Sequence, residues 1–129
     1  MSTVASQWVM YSARTLGLIW VAFWIWFGLG SGIVEGLKPG GVPLPLPLPW
    51  YVLVHTAVPG LIFLVLFLIA WRWELIGGVL LVAVGAVVAV AYPLMFAERL
   101  PLAMIIPTEV SLAGPPLVAG VLFLIHARA

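Results

Sequence analysis

LIGGVLLVAVGAVVAVAYPLMFA, residues 75–97, runs from Glu74 to Glu98 without one charged side chain. A hydrocarbon core about 30 Å thick takes about 20 helical residues to cross, and this stretch supplies them. A barrel strand would be shorter and would alternate polar with apolar residues. Leu, Val, Ala and Gly follow one another here without alternation, so the segment reads as a membrane-crossing helix. Three further stretches meet the same requirement: residues 15–35, 50–71 and 102–126.

Composition agrees. Hydrophobic residues make up 65% of the chain and charged residues 7%, where a soluble domain carries roughly a quarter charged. Five cations and four anions cannot cover a water-facing surface. The first partner implied is therefore the lipid bilayer. The cations are scattered, so nucleic acid has no electrostatic footprint. The absence of cysteine excludes disulfides, thiolate chemistry and iron–sulfur clusters. The predicted fold is all-α, one domain over residues 1–129. It is a four-transmembrane-helix antiparallel bundle, up-down-up-down, with both termini on one side. Met1 to Arg14 holds one cation, and the apolar run after it is long enough to span, so it reads as a retained helix, not a cleaved leader.

The connections fit this division. Trp71-Arg72-Trp73-Glu74 permits only a tight hairpin, with two indoles suited to the headgroup belt. Glu98-Arg99-Leu100-Pro101 is a second tight turn. The outer loop, residues 36–49, ends in Val42-Pro43-Leu44-Pro45-Leu46-Pro47-Leu48-Pro49, whose alternating prolines enforce a polyproline-II rod. No two of these prolines are three apart, so the spacing read by adaptor domains is missing. A cap over the bundle is expected. Arg14, Arg72 and Arg128 fall on one side, Lys38 and Arg99 on the other. The positive-inside rule then places the termini and the 71–74 turn in the cytoplasm.

Apolar burial does not drive helices together in lipid, so close backbone approach must. Gly28 and Gly32 on the first span are candidate packing residues, as are Gly78 and Gly85 on the third and Gly114 and Gly120 on the fourth. Pro59, Pro93, Pro107, Pro115 and Pro116 each remove a backbone donor inside a span.

Few polar groups lie within the spans, and they fall near one level in the outer half. These are Ser31, His55, Tyr92, Thr108, Glu109 and Ser111. Facing inward together, they would form a hydrogen-bonded cluster around the Glu109 carboxyl. A bare carboxylate at that depth costs on the order of 3 kcal/mol, so it must pair or hold a proton. His55 and His126 belong to opposite faces and there is no aspartate, so no nucleophile–base–orienter set assembles. One His and one Glu fall short of a metal site. No catalytic, cofactor or metal residue is predicted.

From His55 onward the chain resembles a family of small four-span prokaryotic integral membrane proteins of unknown function. The residues that carry the likeness are the H-x-x-x-P element His55 to Pro59, the turn Ala70-Trp71-Arg72-Trp73-Glu74 and the pair Gly77-Gly78. A late element follows, Gly114-Pro115-Pro116-Leu117 through Gly120, Leu122, Phe123, Leu124 and Ile125. The resemblance implies four spans and a prokaryotic cytoplasmic membrane, and brings no activity or ligand with it. Two functions fit the residues. One is a non-catalytic accessory or structural subunit, associated with other membrane subunits or with itself. The other is a small oligomeric transporter or proton-coupled channel with Glu109 as the titrating group.

Overall fold

Apolar stretches closed by turn residues become helices in the computed structural model, which describes residues 2–37, 49–50, 53 and 60–129, the side chains of 35 and 36 excepted. The helices are α1 (Thr3–Leu37), α2 (Ile62–Arg72), α3 (Glu74–Phe96) and α4 (Leu102–Arg128). No strand occurs among the described residues. The protein is an all-α bundle, and α1, α3 and α4 are each long and apolar enough to cross a membrane. Only the second half of the expected second span is described, as α2 with a π-helical turn at Gly60 and Leu61 ahead of it. His55, Pro59 and residues 38–48 of the outer loop, which hold all of the expected rod but Pro49, lie outside the described residues.

The helix that holds the expected first span, residues 15–35, is longer than the span. It starts at Thr3, not near residue 15. The Ser2 hydroxyl accepts a hydrogen bond from the Ala5 N–H at 3.2 Å, and the Ser6 N–H donates to the Ser2 carbonyl at 2.9 Å, which is N-capping. The 35 residues of α1 make a rod of about 52 Å, well beyond the roughly 30 Å of hydrocarbon. Hydropathy marks where lipid ends. The cap marks where the helix begins.

The two turns follow the sequence closely. Trp73 alone separates α2 from α3, with non-helical backbone at φ −132 and ψ 85. Its N–H donates to the Ile69 carbonyl at 2.7 Å, and its carbonyl accepts from Gly77 at 2.8 Å. Gly77 is obligatory here, because a Cβ on it would sit inside the backbone of Ala70. After α3, Arg99 and Leu100 both donate to the Phe96 carbonyl at 2.9 Å, and Pro101 opens α4. Pro93 lies inside α3, and Pro107, Pro115 and Pro116 lie inside α4.

The chain forms two compact units, one of Met1–Leu18 with Leu66–Ala129 and one of Ile19–Val65. In the first, α3 and α4 pack antiparallel through glycine. A Cβ on Gly120 would lie 2.8 Å from Val82 Cγ2 and 2.9 Å from the Gly78 carbonyl oxygen. One on Gly85 would lie 2.7 Å from Leu117 Cγ, and one on Gly78 2.9 Å from Leu124 Cγ. Phe67 of α2 lies over Gly17 of α1 and its ring centre is 6.4 Å from that of Phe123. Phe67, Phe123, Leu81 and Pro116 are the largest wholly buried side chains.

Aromatic packing organises the second unit. Trp20 stacks on Phe63 at 4.2 Å, Trp24 meets Phe63 and Phe27 edge-on, and Gly60 sits against the backbone of Ile25. Gly28 and Gly32 are buried there. Gly114 makes no such contact: nothing lies within 4 Å of where its Cβ would be. It lies on the outward stripe of α4 with Val110, Val118 and Val121, while Gly120 faces α3.

Candidate functional site

Glu109 occupies the inward face of α4, one turn from the buried Ile105 and one turn from the buried Ala113. Both carboxyl oxygens are buried, and neither has a hydrogen-bond partner. Such a group forfeits its hydration with nothing in return, a cost of roughly 1–3 kcal/mol and more when charged.

Three of the hydroxyls expected around it donate to carbonyls of their own helices. Thr108 Oγ1 donates to the Met104 carbonyl at 2.8 Å, and Ser111 Oγ donates to the Thr108 carbonyl at 3.0 Å. The Tyr92 ring packs against Phe96, with centroids 4.8 Å apart. Ser31, in the other compact unit, donates to the Gly28 carbonyl at 3.4 Å. A short hydroxyl on an apolar helix finds the carbonyl three or four residues back before it finds another helix. None of these hydroxyls is hydrogen-bonded to the Glu109 carboxyl, and His55, the other expected member of the cluster, lies outside the described residues.

Polar contacts between helices form instead at the far end of this unit. His126 Nδ1 lies 2.5 Å from Glu74 Oε2, and both side chains are 22% exposed. Glu74 opens α3 and His126 stands in the last turn of α4. The helices are antiparallel, which sets the first turn of α3 beside the last turn of α4 and puts the Glu74 carboxylate at a helix N-terminus, the end whose dipole favours an anion. Beside this pair, the Arg14 guanidinium lies 4.5 Å above the Trp71 ring, and Trp71 meets Phe67 edge-on at 5.4 Å. Arg72 lies 5.7 Å from the Trp73 ring. Arg14 Nε is buried and has no acceptor.

Sequence reading missed the Glu74–His126 pair, yet a signal was present. In a tight hairpin, position 82 faces 120 and position 78 faces 120–124. One further turn toward Trp73 sets Glu74 beside His126. No group of three or more His, Cys, Asp or Glu that could hold a metal occurs among the described residues.

A family model described as a domain of unknown function, DUF7670, matches residues 1–129. No curated protein and no solved structure matches the chain.

Proposed function

The chain belongs to the DUF7670 family, and from its own residues we propose that it is a non-catalytic subunit that packs within a larger membrane assembly. One observation carries this reading. The glycines divide into two sets. Gly78, Gly85 and Gly120 are consumed by contacts within the chain, whereas Gly30 and Gly114 have nothing within 4 Å of their Cβ positions. Glycine in a helix costs roughly 0.5–1 kcal/mol relative to alanine, and in lipid its return is close approach by another helix. Glycine on an outward face is accounted for by a helix from another chain. The proposed setting is a prokaryotic cytoplasmic membrane, with the termini and the 71–74 turn on the cytoplasmic side. The three arginines there, against Lys38 and Arg99 opposite, support that orientation.

The test is a photoactivatable residue at Val118, one turn from Gly114 on the outward stripe, in native membranes. Crosslinks from Val118 to another polypeptide, with none from the buried Leu81, support the reading. Crosslinks to lipid alone at Val118 would contradict it.

A second reading is a small oligomeric transporter or proton-coupled channel centred on Glu109. It is favoured by the burial of both carboxyl oxygens without a partner, since intramembrane ionisable groups are retained at a cost. Glu109→Gln should abolish proton-coupled flux in proteoliposomes while leaving the chain folded. Unchanged flux removes that role.

A further inference from the structure

We propose that Arg14, stacked on Trp71, holds the phosphodiester of an anionic phospholipid at this end of the first compact unit. The inference stands on residues of that unit alone and is independent of which functional reading holds.

Arg72 and Arg128 stand two residues from Glu74 and His126 in the chain, and Arg14, in the part of α1 that belongs to this unit, reaches Trp71. Glu74 is the acid described at this end, and His126 already engages it at 2.5 Å. The Arg14 guanidinium therefore faces no carboxylate among the described residues. Its Nε is buried without an acceptor, so the side chain is wedged in place by packing and not by an internal salt bridge.

Trp71 lies beneath the guanidinium at 4.5 Å, and Phe67 meets the Trp71 ring edge-on at 5.4 Å. Phe67 is in turn wholly buried. The indole face thus fixes where the guanidinium sits, and a planar fork held in place suits bidentate binding of a phosphate. Trp71 is 39% exposed and Trp73 56% exposed, which suits rings at headgroup level. Basic clusters between transmembrane helices at that level bind anionic headgroups. Arg72 and Arg128 are exposed and contribute diffuse attraction. Arg14 contributes the built contact.

The test titrates the purified chain in mild detergent with phosphatidylglycerol and counts bound lipid by native mass spectrometry. Phosphatidylcholine of the same tails is the control, and millimolar inorganic phosphate is a competitor. The anionic lipid should bind more tightly than the zwitterionic one. Arg14→Gln should weaken it by about ten-fold, as loss of a charge-assisted hydrogen bond does, and Arg128→Gln by roughly two-fold or less. Arg14→Lys keeps the charge without the fork and should recover only a minor part. Should Arg14→Gln fail to fold, Trp71→Leu decides, and it should weaken the anionic lipid several-fold by releasing the clamp. Equal affinity for the two lipids, equal effects of Arg14→Gln and Arg128→Gln, or full rescue by Arg14→Lys would each overturn the proposal. Displacement of the lipid by inorganic phosphate would overturn it too, by assigning the site to a soluble ion.

Discussion

Replacing Gly120 by alanine tests the helix packing most sharply. The new Cβ would lie 2.8 Å from Val82 Cγ2, 2.9 Å from the Gly78 carbonyl oxygen and 2.9 Å from the Val82 nitrogen. Two of these three neighbours are backbone, so α3 and α4 must move apart by roughly half an ångström or more to restore ordinary contact near 3.5 Å. Overpacking of this kind costs about 1–3 kcal/mol, and alanine returns roughly 0.5–1 kcal/mol of helix propensity. The two ranges leave a net loss centred near about 1 kcal/mol and reaching about 2.5 kcal/mol; a loss of about 1–2 kcal/mol is a factor of about 5–30 in the folded-to-unfolded ratio. Reversible unfolding in mixed micelles measures it directly. Gly114→Ala is the matched control: with nothing within 4 Å, it should be neutral or stabilising by a few tenths of a kcal/mol in the isolated chain. A Gly120→Ala chain as stable as the wild type would refute the packing described.

Gly77→Ala should be more damaging than Gly120→Ala, because the added carbon falls on the backbone of Ala70; loss of the folded fraction in detergent checks it. Glu109→Met should raise the stability of the isolated chain by about 1–3 kcal/mol by removing an interior carboxyl without a partner, read in the same unfolding assay. His126→Ala should cost at most about 1 kcal/mol, since the Glu74–His126 pair is part-exposed and screened; a larger loss would make this pair a main support of the hairpin.

The spans were legible because they rest on length and lack of charge. The run from Leu75 to Ala97 announces α3 within a residue at each end, and Glu98 to Pro101 announces the next turn. The start of α1 was not legible from hydropathy, because Ser2 sets it by a capping bond that does not depend on lipid. The polar level was read from depth alone. Depth places Tyr92, Thr108 and Glu109 near one another, but it does not say that Thr108 and Ser111 donate to carbonyls of their own helix. Nor does a glycine count tell an inward Gly120 from an outward Gly114. That distinction depends on helical phase against a neighbour. The Glu74–His126 contact is the converse case: both residues were in view, and only the hairpin register was needed to join them.

The most direct measurement is the mass of the particle extracted from native membranes in mild detergent, compared with the 13.9 kDa of one chain. The account predicts a heavier particle holding polypeptides of other sequence, which dissociates when Gly114 is changed to leucine while the chain itself stays folded. A stable monomer, or a particle indifferent to Gly114→Leu, would contradict it.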